Sequence, residues 1–269
     1  MPIDSLPEAK SPSMTDKRHT ALVLLTNGTT DPEGLAVLEE VDGWMRRRFP
    51  DAVLCWAFSS SRILGVLQDR GLAVRSLPQT LAHLARHGFA AAVVQPLSVA
   101  TTGEAVAAAG DLKVRTGPPL LGVPTAVAAL VDILAARIDV AEPTVVAAHG
   151  SEHDVGAQQR LQTLAEMLEA RFPRLVVASL RGGPGTAPLS RLRELVQEQG
   201  HVHIVPLLLT IGHHVRTDIL GGHPRSWRHL LGGDVRCSEP LGRNPAVLEL
   251  FAGQIEATRQ RVIKELELL

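Results

Sequence analysis

ALVLLTNGTT, residues 21–30, and TVVAAHGSEH, residues 144–153, decide the fold. Each is an aliphatic run that stops on X-Gly-hydroxyl: Asn27-Gly28-Thr29 in the first, His149-Gly150-Ser151 in the second. A short run apolar on both faces is the pattern of a strand covered on both sides of a parallel sheet. A glycine at its end lets the backbone turn sharply into a following helix. A second pair overlays without a gap: VVQPLSVATTGE (93–104) on HIVPLLLTIGHH (203–214), with Pro96 on Pro206 and Glu104 on His214. The two halves therefore resemble each other. Their matched segments lie at strand C-termini, where open α/β sheets place ligands.

Outward from these stretches, short apolar runs alternate with longer amphipathic ones. The runs are Ala21–Thr26, Ala52–Phe58, Ala90–Val99, Leu120–Val123, Thr144–Ala148, Leu175–Leu180, Val202–Thr210 and Val235–Cys237. Helical patterns cover Pro32–Arg48, Leu77–His87, Gly156–Arg171, Pro188–Gln199 and a final stretch from Pro245 to Leu269. Alternation of this kind predicts α/β architecture, with two doubly wound parallel-sheet lobes related by an approximate twofold. The expected divisions are a disordered arm over 1–19, an N-terminal lobe over 20–138 and a C-terminal lobe over 139–269. The helix at 245–269 is placed to pack back on the first lobe. With such a twofold, the strand ends would face each other across a cleft.

Composition narrows the function. The chain has 269 residues, 45% of them hydrophobic, and a net charge of −1, so nothing draws it globally to nucleic acid or anionic membrane. Aromatics make up 3% and tyrosine is absent, which argues against a base-stacking surface. Cys55 and Cys237 form no zinc-type spacing and read as buried free thiols of a reducing compartment. The polar first 19 residues lack the apolar core of a signal peptide, and the expected location is the cytoplasm.

His149 ends a strand before Gly150, His214 follows a strand in the equivalent place, and Glu104 is its match in the first half. Two imidazoles and a carboxylate converging on one cleft make a metal site of borderline character, suited to Co²⁺, Ni²⁺, Fe²⁺ or Zn²⁺. A single histidine after a strand is more often a hydrogen-bonding residue; the coincidence of three equivalent positions is what raises the metal reading. Arg216 has a planar fork suited to a carboxylate, or it pairs with Asp218 on the surface. Arg62, in SSSR, is the similar candidate of the first half. Arg225, Arg228 and Arg236 near Trp227 are either a solvated face or the rim of an anion site. LRGGPG at 180–185 lacks the lysine of a phosphate loop and reads as a flexible turn.

From residue 21 to the helix after Pro245 the chain resembles the long, two-lobed class II chelatases, the anaerobic sirohydrochlorin cobaltochelatases. ALVLLTNGTT is similar to the opening strand, AFSSSRIL (57–64) to an Ala-Phe-Thr-Ser segment, and HGSEH (149–153) to the His-Gly metal loop. VHIVPLLLTIGHHVRTDI (202–219) is the most specific match, and NPAVLELF (244–251) resembles the start of the last helix. The resemblance implies a lyase-type chelatase inserting Co²⁺ into sirohydrochlorin or its reduced precursor, on the way to cobalamin or another tetrapyrrole. His149 and His214 would be metal ligands and base, and Glu104 the functional glutamate. Arg216, Arg62 and Ser151 would contact the acidic macrocycle. The family's glutamate near the segment SLRGGPG is absent here; Arg181 or a glycine takes its place. Iron or nickel insertion on the same fold, and a non-catalytic tetrapyrrole or metal carrier, are the rival readings.

Overall fold

The computed structural model describes residues 20–102, 110–182, 184–212 and 215–267. The arm expected over 1–19 lies outside them. The element order is β1 (Thr20–Thr26), α1 (Pro32–Arg48), β2 (Val53–Phe58), α2 (Ser61–Asp69), α3 (Leu77–Arg86), β3 (Ala91–Pro96), β4 (Lys113–Thr116), α4 (Pro124–Ala135), β5 (Thr144–Gly150), α5 (Val155–Arg171), β6 (Leu175–Arg181), α6 (Leu189–Gln199), β7 (His201–Leu207), α7 (Trp227–Leu231), β8 (Asp234–Cys237) and α8 (Pro245–Glu267). No helix among the described residues is long and apolar enough to cross a membrane.

The strands form two four-stranded parallel sheets of identical topology, β2-β1-β3-β4 and β6-β5-β7-β8. The registers agree as well. Leu25 pairs with Pro96 across β1 and β3, and Ala147 with Pro206 across β5 and β7. These are the partners that the overlay of Asn27 on His149 and of Pro96 on Pro206 requires. Ala91 beside Lys113 is likewise matched by His201 beside Asp234.

The described residues divide into two compact units, one within 20–97, 110–119 and 248–267, the other within 98–102 and 120–247. In the first, alternate residues Ala21, Val23, Cys55, Ala57, Ala92 and Val94 pack with Leu77, Leu81 and Leu84 of α3. Residues of opposite parity face α1, where the Trp56 indole donates to Asp42 Oδ1 at 2.9 Å. Helix α8 completes this unit through Arg115 to Glu265 at 2.7 Å and a hydrogen bond from Gln95 to Gln254. In the second, Val145, Ala147, Val176, Ala178, Val202 and Ile204 pack with α6, Trp227 and Leu231. Burial drives both cores; truncating a fully buried Trp227 to alanine would cost about 3–5 kcal/mol.

Leu120–Val123, expected as a strand, is a single 3-10 turn over Leu120–Gly122. Its N–H groups go to Ser98 and Val99 carbonyls. This pairing, and the packing of α4 on α5, group α4 with the second unit. The fourth strand is instead Lys113–Thr116. The cysteines are both free thiols; Cys55 is buried, but Cys237 only half-buried. Burial pushes each thiol up to about 11, which leaves both protonated and unreactive.

Candidate active site

His149 is the penultimate residue of β5, beside β7 at the centre of the second sheet, and is half-buried. Between β5 and β7 the connections leave the sheet in opposite directions, the crevice where doubly wound sheets take ligands. The His149 Nδ1 stands 3.0 Å from the Gly150 carbonyl, which can only accept. A neutral ring donating there carries its lone pair on Nε2, the form needed by a ligand or a base.

The turn after His149 is built on glycine for a steric reason. Gly150 has φ +72°, and a Cβ there would stand 1.8 Å from the Arg181 carbonyl oxygen. Gly182, φ +53°, would put its Cβ 2.2 Å from the Ser151 carbonyl oxygen. The turns after β5 and β6 thus press backbone on backbone. On either side of the glycine stretch expected as a flexible turn, Ser179 N–H donates to the Gly185 carbonyl at 2.9 Å, and Gly185 N–H to the Ser179 hydroxyl at 2.9 Å. Arg181 itself is exposed and lies 3.5 Å from Glu152.

The loop then closes on Asp154. Ser151 Oγ accepts from Asp154 N–H at 3.1 Å, and Asp154 caps α5 by accepting from Ala157 N–H at 2.7 Å. Its other oxygen accepts from Thr102 N–H at 3.3 Å and Thr102 Oγ1 at 3.4 Å. Arg160 adds a hydrogen bond to the Ala100 carbonyl at 2.7 Å and an ion pair to Asp154 at 3.6 Å. Partial burial pushes the Asp154 carboxyl up, but the Ala157 and Thr102 donors and Arg160 outweigh it and hold its pKa below the usual carboxylate value. Asp154 therefore ties the histidine loop to Thr102, two positions before Glu104. Sequence reasoning passed over it, although an Asp just ahead of a helical run is an N-cap signal.

The remaining candidates are distributed as follows. Glu104 and His214 lie outside the described residues. Ser151 belongs to the His149 turn, with its hydroxyl accepting within it. Arg216 is exposed on a π-helical turn, Val215–Ile219, anchored by buried Val215 and Ile219. Such turns gather at functional sites. Arg62 is exposed in the first turn of α2. Arg236 is exposed, sits opposite His203 in the sheet and pairs with Glu142, which leads into the start of β5. Among the described residues no three metal-ligating side chains form a site.

In the first unit the matching strand end carries Asn27, whose Oδ1 accepts from the Ser59 hydroxyl at 2.5 Å. Gly28 repeats the left-handed backbone of Gly150 with φ +82°, its Cβ direction blocked by Phe58 at 2.5 Å. The scaffold is thus doubled while the residue offered at its mouth differs.

The model of the cobalt chelatase (CbiK) family matches residues 20–260. The chain is 28% identical over 271 residues to the sirohydrochlorin cobaltochelatase CbiKC of Nitratidesulfovibrio vulgaris (strain Hildenborough), covering 93% of this chain and 91% of that one. Among solved structures, SirB of Bacillus subtilis subspecies spizizenii, a sirohydrochlorin chelatase in complex with cobalt, shares the fold with a TM-score of 0.58 at 17% identity, covering 90% of this chain and 96% of that one. CbiX, described as the terminal enzyme for biosynthesis of siroheme in denitrifying bacteria, does so with a TM-score of 0.58 at 19% identity, covering 89% and 99%. Paired parallel sheets of one topology, a His-Gly turn on a central strand and a family match across nearly the whole described chain lead to one conclusion: the chain belongs to the cobalt chelatase family.

Proposed function

We propose that this enzyme inserts Co²⁺ into sirohydrochlorin, with His149 and His214 as metal ligands and base and Glu104 assisting by proton transfer or by orienting a histidine. The observation that carries the reading is His149 itself, a histidine at the end of a central strand whose Nδ1 is turned to a carbonyl. Insertion removes two pyrrole N–H protons and exchanges the water around the ion for four ring nitrogens. A base that is neutral near pH 7 is required, and imidazole meets that need. Arg216, Arg62 and N–H donors of the His149 loop would hold the carboxylates of the macrocycle. Unpaired cysteines suit a reducing compartment, and the cytoplasm is the proposed location.

The test is anaerobic incubation of the protein with sirohydrochlorin and Co²⁺, Fe²⁺ or Ni²⁺ in parallel, following the absorption of the ring. Cobalt is expected to give the highest kcat/KM. His149→Ala and His214→Ala are expected to lower it by about 10²–10⁴-fold. Full activity in both variants would refute the assignment. Tight binding of sirohydrochlorin without metallation by the wild type would turn the reading to a carrier.

A further inference from the structure

The first unit holds a groove of about 500 Å³ that contains none of the residues assigned above. It runs between the segment after α2 and the outer face of α3. Leu72, Ala73, Val74 and Ala82 supply its apolar lining, and Arg75 and Arg86 its charged lining. Its walls are fixed from within: Gln68 donates to the Val74 carbonyl at 3.1 Å, and Gln79 Oε1 accepts from Ser76 N–H at 2.9 Å in the capping box of α3. The bridge between Phe58 and Ser76 anchors the segment to the edge of the sheet.

No aspartate or glutamate lines the groove. Arg75 is half-buried and its guanidinium has no hydrogen bond or ion pair among the described residues. The Arg86 Nε donates only to the Ala82 carbonyl of its own helix, at 3.3 Å. At the end of this helix the His83 ring lies against that of the C-cap residue His87, with centroids 4.1 Å apart and planes tilted by 39°. Burial lowers the His83 pKa, and His87, Arg75 and Arg86 all push it the same way. Arg86 is exposed and Arg75 half-buried, so both guanidinium groups are open to a ligand from solvent. They stand together beside an open hollow partly lined by apolar side chains.

We infer that this groove binds a small organic anion, with Arg75 and Arg86 holding its oxyanion and Leu72, Val74 and Ala82 covering its apolar body. The site is independent of the metal-insertion chemistry. Both halves of the ligand are needed: inorganic anions would leave the apolar lining exposed, and a neutral apolar molecule would leave the guanidinium groups unmatched.

The probe is 8-anilinonaphthalene-1-sulfonate, an aromatic body with one anionic group, titrated into the full chain by fluorescence. N-phenyl-1-naphthylamine, the same body without the charge, is the control. Saturable binding is expected, weakened about tenfold by the Arg75→Gln, Arg86→Gln double variant. Ala82→Glu, which adds a carboxylate to the lining, is expected to weaken it at least as much. His149→Ala should leave it unchanged. Circular dichroism checks that each variant folds. No saturable binding, wild-type affinity in both groove variants, equal affinity for the uncharged probe, or loss of binding in His149→Ala instead would each overturn the inference.

Discussion

The two units answer the same folding problem with the same strand order and register, yet they end their central strands differently. The first offers Asn27, held by Ser59; the second offers His149, on a turn locked by backbone contact with Arg181 and Ser151 neighbours. Left-handed glycines at both places, Gly28 and Gly150, show that the turn is a property of the scaffold. The imidazole belongs to one copy alone. Strand ends in a doubly wound sheet are interchangeable as architecture and not as chemistry, since function is carried by the group displayed there.

The largest break in this comparison comes from Gly150→Ala. A methyl group 1.8 Å from the Arg181 carbonyl oxygen, at φ +72°, forces two packed turns apart. It should cost about 3 kcal/mol or more in urea unfolding and abolish insertion. Gly28→Ala meets the edge of the Phe58 ring at 2.5 Å, a side chain that shifts more readily than backbone. About 2 kcal/mol is expected there. An equal cost at both sites would show that backbone packing does not distinguish the two turns.

Next is the pair of helix caps that follow these turns. Asp31→Ala removes hydrogen bonds from Glu33 and Gly34 at 3.0 and 3.2 Å and should cost about 1 kcal/mol without touching activity. Asp154→Ala removes a cap and, with it, the tie to Thr102. It should cost about 2 kcal/mol and reduce kcat/KM as well, because the loop that carries His149 loses its tie to Thr102. Unchanged kinetics in Asp154→Ala would reduce the tie to a structural one.

The smallest expected effect is on the pH dependence of stability. His203 occupies the position that Val93 holds in the first sheet, and it is 4% exposed. Burial lowers its pKa, Arg236 and Arg137 reinforce the shift, and Glu142 opposes it. The unfolded chain therefore binds the proton first. Stability is full above the unfolded value of about 6.5 and falls as pH drops from there toward the folded pKa. His203→Gln should flatten the fall in thermal midpoint between about pH 7 and 5.5. An unaltered slope would assign the acid sensitivity elsewhere.

Much of the scaffold was legible in the chain because its strands are long, covered and aliphatic. Pro32–Arg48 is the helix its amphipathic pattern predicts, and the structure adds Asp31 at its cap and three arginines in its last turn. Lys113–Thr116 was missed because an edge strand with two exposed residues carries no apolar run. Leu120–Val123 misled for the opposite reason: Leu120 and Leu121 are buried, but Pro118, Pro119 and Pro124 around them favour a tight turn over a ladder. Arg236 fits the solvated-face reading: it is exposed and pairs with Glu142. His149 could be picked out by its place before Gly150. Asp154 could not be weighted, since its reach to Thr102 spans elements that no local pattern connects.

The central claim is that the imidazole of the second unit, and not the turn that bears it, carries the chemistry. His149→Asn tests this most directly, because it gives the second turn the Asn-Gly-hydroxyl reading of the first with the glycine packing intact. The variant should unfold like the wild type and insert Co²⁺ into sirohydrochlorin at least about 10²-fold more slowly. An insertion rate equal to the wild type in a folded His149→Asn protein would contradict the account.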